Sequence, residues 1–344
     1  MTEWRYIRAF AEQFARCALV EDETVAILSE TTSRSVLVET ARLAAQSLGA
    51  QVFDIVVPTP PSSHSVPIRS TGASQAIAGN PAVIAALATA DFVIDCTVEG
   101  LLHAPELGRI LADGARVLMI SNEHPDTFER LTFDPDLARR VELGHLWLRQ
   151  GTTMRVTSDA GTYLTVQLAG AFTAGSSGVT TGPGSIAHWP GGLVLAFPAA
   201  GSVSGTVVLA PGDINLTFNR YVESPITLTI VDDYMVDITG SGVDADLFRS
   251  YLAAFNDRAS FATSHVGWGM NPAARWDYLE LYDKRDNWGT EARAFAGNFL
   301  YSTGANENAG RFTAGHFDLP MRDCTVRIDD RDVVVAGTLV PELR

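Results

Sequence analysis

The sequence predicts an α/β domain with an open, mostly parallel sheet, followed by an α+β domain with a curved or barrel-like sheet. Up to about residue 150, short apolar segments typical of strands alternate with amphipathic segments typical of helices. Beyond that point, strand-like segments follow one another and glycine or proline separates them. We therefore expect a Rossmann-like first domain over residues 1–150 and a second domain over residues 151–344.

The first domain is predicted from helix and strand periodicity, taken in chain order. An apolar stripe of Trp4, Ile7, Phe10 and Phe14 marks its first helix. No GxGxxG and no GxxxxGK[ST] motif occurs, so the domain is not an obvious binder of dinucleotides or nucleoside triphosphates. The predicted helices span residues 1–18, 35–47, 81–88, 105–112 and 135–148, and the predicted strands 25–28, 52–57, 92–96 and 117–120.

The second domain is predicted to be mainly strands, with one helix at residues 244–256 and a final hairpin. No acidic residue occurs between positions 170 and 190, so the small, polar stretch at 175–178 is expected to be structural or to form a loop. The predicted strands span residues 154–157, 163–168, 193–197, 205–209, 226–231, 235–239, 324–328 and 333–337.

Composition limits the function classes. Of the 344 residues, 46% are hydrophobic and 19% are charged, which is typical of a globular protein. The net charge of −15 argues against a nucleic-acid partner, because such a partner needs a basic face. Three cysteines without metal-binding spacing indicate a reducing compartment, and no signal-like or membrane-length apolar segment is present. We therefore expect a cytoplasmic protein that does not enter the membrane.

His316 and Asp318 are the first candidate metal ligands. On an extended strand, side chains two residues apart project from the same face, so an imidazole and a carboxylate would form two corners of a metal site. A second histidine would complete the two-histidine, one-carboxylate triad of non-haem Fe(II) oxygenases. The pattern is short, and the same two side chains would equally fit a plain hydrogen-bonded pair.

Other histidines lie in segments that suit a site. His265 and His188 are each flanked by glycines and prolines and are predicted to lie in loops that suit a site, although each would equally be a partly buried, hydrogen-bonded histidine. His103 follows the predicted strand 92–96, and ligands of open α/β sheets gather at the carboxyl ends of strands. His124 follows the next strand but would equally cap a helix, and His64 lies in a long loop where a solvated histidine is the simpler interpretation.

The order of segments between about residues 150 and 325 resembles the leucyl aminopeptidase T type of metallopeptidase, which holds two metal ions. In that family, two glutamates and a histidine ligate metal at positions that here hold Leu193, His265 and Leu300, and the last His-x-Asp pair matches His316 and Asp318. Two hydrolytic metals need several bridging carboxylates, and leucine ligates nothing. The resemblance therefore implies one metal held by His265, His316 and Asp318 in the second domain.

A branch of this superfamily, the 2,5-dihydroxypyridine 5,6-dioxygenases, resembles the chain more closely. The resemblance rests on the histidine before Val-Gly-Trp-Gly-Met-Asn-Pro and on the segment His316-Phe-Asp-Leu-Pro-Met. It implies an Fe(II) cofactor, a small heteroaromatic substrate, and cleavage by O2 of the ring bond between carbons 5 and 6, giving N-formylmaleamic acid.

The resemblance leaves several roles open. We favour His188 as the base that deprotonates the substrate hydroxyl, with His103 reaching over the cleft, although either would equally orient the ring. Ser302 is a possible weak ligand or an ordinary strand residue, and Arg293 a candidate for binding an anionic substrate oxygen or an exposed ion pair. Aromatic walls of the pocket, or core residues, are expected at two positions, Trp189 and Trp268.

Three alternatives remain at this stage. The chain would be an aminopeptidase with an unusual metal site, a non-catalytic binding protein with a relic pocket, or a dioxygenase that opens another hydroxylated ring. The resemblance also implies a homo-oligomer.

Overall fold

The computed structural model describes residues 2–61, 74–131 and 134–344, so His64 lies outside the described residues. Within this part of the chain we label eight α-helices in order: α1 (Trp4–Arg16), α2 (Ser35–Ser47), α3 (Pro81–Ala88), α4 (Leu107–Ala112), α5 (Pro125–Arg130), α6 (Pro135–Gln150), α7 (Val243–Ala254) and α8 (Thr290–Ala294).

The strands are labelled in the same way: β1 (Thr24–Glu30), β2 (Gln51–Val57), β3 (Phe92–Cys96), β4 (Arg116–Ile120), β5 (Thr153–Ser158), β6 (Tyr163–Gln167), β7 (Phe172–Ser176), β8 (Ile186–Trp189), β9 (Leu193–Phe197), β10 (Val203–Leu209), β11 (Ile214–Asn215), β12 (Arg220–Tyr221), β13 (Ile226–Val231), β14 (Tyr234–Gly240), β15 (Thr263–Gly269), β16 (Phe299–Asn306), β17 (Arg311–Met321), β18 (Cys324–Ile328), β19 (Arg331–Val335) and β20 (Thr338–Leu339).

The first sheet is entirely parallel, in the order β2-β1-β3-β4-β8. Alternate side chains of its strands enter two apolar clusters, one on each face. Helices α1 and α2 cover one face, where Phe10 and Phe14 are fully buried, and helices α3 and α4 cover the other. Burial of both faces explains why the strands read as continuous apolar runs.

Strand β8 comes from beyond residue 150 and completes the first sheet by pairing with β4. His188 therefore lies on a strand at the end of the parallel sheet, and the prediction that it lies in a loop was wrong. The short length of β8, four residues between glycine- and proline-rich segments, hides it in the sequence. The domain boundary at residue 150 stays a prediction.

Two antiparallel sheets make up most of the rest of the described chain. One has eight strands in the order β14-β13-β10-β6-β5-β18-β19-β20, and the other has five in the order β17-β16-β15-β9-β7. Their inward side chains share one large apolar core with helices α6 and α7. The predicted fold class, a parallel α/β part followed by a mainly antiparallel part, is confirmed.

Several local predictions change. Trp4 is 70% exposed and does not belong to the buried stripe of α1. Helix α5 was not among the predicted helices, but the alternative that His124 caps a helix is confirmed, because its imidazole accepts a hydrogen bond from the Asp126 amide at 3.2 Å. The stretch predicted as a loop at 175–178 begins within β7. No helix in the described residues is long and apolar enough to span a bilayer.

Candidate metal centre

Three neighbouring strands of the five-stranded sheet supply the candidate ligands. His265 lies on β15, His316 and Asp318 lie on β17, and β16 runs between them. Ser302 on β16 is the register partner of Asp318. The predicted strand around His316 is therefore present, and the alternation of side chains brings both of its candidate ligands to the same face. His265 lies on a strand, and the prediction of a loop there was wrong.

The ligand atoms of His265, His316 and Asp318 all lie within 4.8 Å of one another, and all three residues are buried. The Nε2 atoms of His265 and His316 lie 3.6 and 3.2 Å from Oδ1 of Asp318. Donors bound at right angles to one ion, each at about 2.1 Å, would lie about 3 Å apart. Two imidazoles and a carboxylate at this spacing therefore fit a single transition-metal ion, and in the described part of the chain no second such group of three is present.

Asp318 is held by residues outside the ligand group. Nε of Arg293 donates to its Oδ2 at 2.5 Å, and the Ser302 hydroxyl donates to its Oδ1. Burial alone would raise the pKa of this carboxyl, but the Arg293 guanidinium and then His316 hold the pKa well below its ordinary value. Asp318 is therefore a carboxylate anion, which is the form in which an aspartate side chain binds a metal ion. Arg293 does not form the exposed ion pair considered from the sequence, because its side chain is only 12% exposed and donates to the candidate ligand Asp318.

His265 is held as a neutral imidazole. Burial lowers its pKa to about 3, although Asp318 opposes the change. A neutral imidazole is the form that ligates metal. Its Nδ1 is buried without a hydrogen-bond partner among the described residues. The nitrogen that faces Asp318 is Nε2, so Nε2 is the one available for coordination.

His188 lies close to this group from the first sheet. Its Nδ1 lies 3.2 Å from the carbonyl oxygen of Pro190, which can only accept, so Nδ1 carries the proton. Burial, reinforced by the nearby Arg293 guanidinium, lowers the pKa of His188 to about 4. The side chain is therefore neutral near pH 7 and presents a bare Nε2, which suits hydrogen bonding better than proton abstraction.

His103 reaches the same place from the loop between β3 and α4. Its ring centroid lies 6.2 Å from that of His316, and its Nδ1 lies 3.6 Å from Oε1 of Glu307. Phe197 packs between the histidines, with ring centroids 5.9 Å from His103 and 5.2 Å from His265. Phe197 and Glu307 were missed in the sequence, because neither stands in a motif.

The two tryptophans proposed as pocket walls are core residues. Trp189 is 2% exposed and packs against the first sheet's helices, and Trp268 is fully buried in the large core of the second part. Leu193 and Leu300, for which the resemblance to the aminopeptidase T type implies metal ligands in that family, are also buried and apolar, so neither offers a donor for a second ion.

The sequence matches the family of 2,5-dihydroxypyridine 5,6-dioxygenase over residues 5–341. The chain belongs to this family. A 2,5-dihydroxypyridine 5,6-dioxygenase of Pseudomonas putida is 37% identical over 324 residues, covering 93% of this chain and 91% of the relative. These matches confirm the resemblance noted in the sequence and the prediction of a dioxygenase.

Solved structures agree with this assignment. The 2,5-dihydroxypyridine dioxygenase of Pseudomonas putida KT2440 superimposes with a TM-score of 0.93 at 35% identity and covers 98% of both chains. Wild-type AmpT of Thermus thermophilus superimposes with a TM-score of 0.60 at 14% identity, covering 98% of this chain and 99% of that one. The second likeness shows a shared fold alone.

Proposed function

We propose that this protein cleaves 2,5-dihydroxypyridine with O2 between ring carbons 5 and 6, giving N-formylmaleamic acid, and that its cofactor is Fe(II). The observation that carries the proposal is the cluster of His265, His316 and Asp318 in a chain of a dioxygenase family. Two imidazoles and one carboxylate are typical of non-haem Fe(II) oxygenases, in which the metal keeps positions open for substrate and O2. Bound iron supplies the electron transfer between an electron-rich ring and O2.

The protein groups have separate roles in this proposal. His103 is the base that takes the proton of the 5-hydroxyl, because His188 is too weakly basic and His103 has a carboxylate beside it. His188 orients the ring by accepting a hydrogen bond at Nε2. Ser302 fixes the carboxylate of Asp318 and lies near enough to be a weak ligand. Arg293 keeps that carboxylate ionised, and we assign it no direct contact with substrate.

The alternatives are less well supported. A two-metal aminopeptidase needs more carboxylate ligands than the described part of this site contains. A non-catalytic protein with a relic pocket is disfavoured because the chain belongs to a family of dioxygenases. Another hydroxylated ring remains the nearest competing substrate. A cytoplasmic location and a homo-oligomer also stay predictions.

The test is turnover under defined conditions. Protein purified anaerobically and loaded with Fe(II) is mixed with 2,5-dihydroxypyridine in air, while O2 uptake and ring absorbance are followed. We expect one O2 consumed per ring opened, and N-formylmaleamic acid as the product. Peptide cleavage in the presence of zinc or cobalt, without O2 uptake, would refute the proposal. Faster turnover of another hydroxylated pyridine would change the substrate but keep the reaction class.

Variants test the assigned roles in the same assay. We expect His103→Ala to lower kcat by about 100-fold with iron retained, because the base is lost. His188→Ala should mainly raise KM, because an orienting hydrogen bond is lost. If instead His188→Ala lowers kcat alone and His103→Ala is nearly silent, the two roles are exchanged.

A further inference from the structure

Glu307 and His103 come from different sheets of the protein, and their side chains face each other. His103 lies in the loop after β3 of the parallel sheet, and Glu307 lies in the turn after β16 of the antiparallel sheet. The Glu307 Oε1 and His103 Nδ1 atoms are 3.6 Å apart, and the side chains are 41% and 9% exposed. Burial raises the pKa of Glu307, but the contact with His103 outweighs it and holds the pKa below its ordinary value. Glu307 is therefore a carboxylate facing a buried imidazole.

The turn that carries Glu307 is anchored to the ligand strand. Asn306, the preceding residue, donates from Nδ2 to the carbonyl oxygens of Pro198 and Ser264, both at 2.9 Å. Its Oδ1 accepts from the amide of Ala309 at 3.1 Å and closes the turn. Ser264 is the residue before His265 on β15, so the position of Glu307 is set by the same strand that positions a metal ligand.

The ring of His103 is fixed on its other sides. Phe197 packs edge-on against it, and the centroid of the His316 ring lies 6.2 Å from that of His103. Because Nδ1 is the atom that faces Glu307, Nε2 is the nitrogen left for the substrate. A carboxylate at Nδ1 favours the tautomer protonated there, which leaves the lone pair on Nε2. Hydrogen bonds of catalytic groups are often long before substrate binds, so a separation of 3.6 Å suits this role.

We propose that Glu307 is a positioning residue that holds His103 in the tautomer protonated at Nδ1, so that Nε2 faces the substrate hydroxyl and accepts its proton. This inference rests on the proposed role of His103 as the base. The base itself, His103, belongs to the parallel-sheet part of the chain, whereas Glu307, which positions it, belongs to the antiparallel part. A simple ion pair that only joins the two parts is the contrasting explanation.

The first test separates these explanations kinetically. We expect Glu307→Ala to lower kcat about tenfold with KM, iron content and melting temperature nearly unchanged, because substrate contacts and ligands remain. Glu307→Asp should restore part of the loss, and Glu142→Ala, which removes an exposed carboxylate on α6, should have no effect. The double variant with His103→Ala should be no slower than His103→Ala alone. An additive loss would show that Glu307 acts elsewhere and would overturn the inference.

The second test does not depend on turnover. The nitrogen resonances of histidine in the metal-depleted, ¹⁵N-labelled protein report the tautomer of His103, assigned with His103→Ala. We expect a proton on Nδ1 in the wild type and a mixture of tautomers in Glu307→Ala. An unchanged tautomer together with wild-type kcat would overturn the inference and leave the proposed function standing. If His103→Ala itself turns over normally, the base assignment fails, and the role of Glu307 fails with it.

Discussion

The two carboxylate oxygens of Asp318 face different sets of partners. Oδ1 faces both candidate ligand histidines and the Ser302 hydroxyl, and Oδ2 accepts from Arg293. Arg293 therefore keeps Asp318 charged, and Ser302 helps to fix the orientation of its carboxylate. Because the guanidinium comes from α8 and the hydroxyl from β16, a change in either element would alter how Asp318 faces the candidate metal site.

Glu99 is an unusual carboxyl in the loop that also carries His103. Burial, reinforced by the nearby Glu30, raises its pKa from 4.5 to about 8. The folded protein therefore keeps a proton that the unfolded chain releases at about pH 4.5. The contribution of Glu99 to the free energy of unfolding is therefore fully present below pH 4.5 and is lost as the pH rises through about 8.

We predict that Glu99→Gln removes this pH dependence. Relative to the wild type, the variant should gain stability steadily between pH 4.5 and 8, by on the order of 2 kcal/mol after screening by solvent. Urea unfolding at a series of pH values measures the difference, with the exposed Glu142→Gln as a control. Wild-type and Glu99→Gln stabilities that change in parallel with pH would contradict the prediction.

At the scale of elements, the pairing of β16 with β17 places Ser302 beside Asp318 in the candidate metal site. Gly304 is opposite His316, and the register shifts between Gly304 and Asn306. Gly304 has a φ of +107°, and a Cβ there would lie 1.8 Å from the carbonyl oxygen of Gly315. Only glycine permits this approach, so one backbone position controls how closely the ligand strand packs.

We predict that Gly304→Ala destabilises the protein by about 3 kcal/mol or more and weakens metal binding, because the strands must separate. Gly108→Ala on α4 is the matched control, since nothing lies within 4 Å of its added methyl group. The control should be neutral or stabilising by about 0.5–1 kcal/mol. Thermal unfolding and metal titration of both variants check this. Equal stability of the two variants would contradict the close approach of the Gly304 backbone to the carbonyl oxygen of Gly315.

Element types were largely predictable, and the exceptions share a physical reason. Periodicity gave four of the five strands of the parallel sheet, β1 to β4, and the helices α1 to α4 that cover it, and the spacing of His316 and Asp318 indicated their strand. The segment around His265 looked like a loop because of its glycines. On β15 these glycines instead allow close backbone packing, since a Cβ at Gly267 or Gly269 would lie 2.0 or 2.3 Å from a neighbouring carbonyl oxygen.

At the scale of the molecule, contacts between distant segments join the parallel sheet to the metal centre. The buried Glu123, after β4, accepts from the amides of Trp288 and Thr290 at 2.8 and 2.7 Å, and this segment leads into the helix that carries Arg293. Such pairs have no local signature, because they depend on tertiary placement. The spacing of His316 and Asp318 indicated two candidate ligands and the family resemblance added His265, whereas Phe197, Glu307 and the contact of Arg293 with Asp318 were not predictable.

Binding of a single Fe(II) by His265, His316 and Asp318 is tested most directly by metal titration. Metal-depleted protein and the His265→Ala variant are titrated anaerobically with Fe(II), and bound iron is measured after desalting. We expect one iron per wild-type chain and binding at least about tenfold weaker in the variant. Two ions per chain, or unchanged binding in His265→Ala, would contradict a mononuclear site with these three ligands.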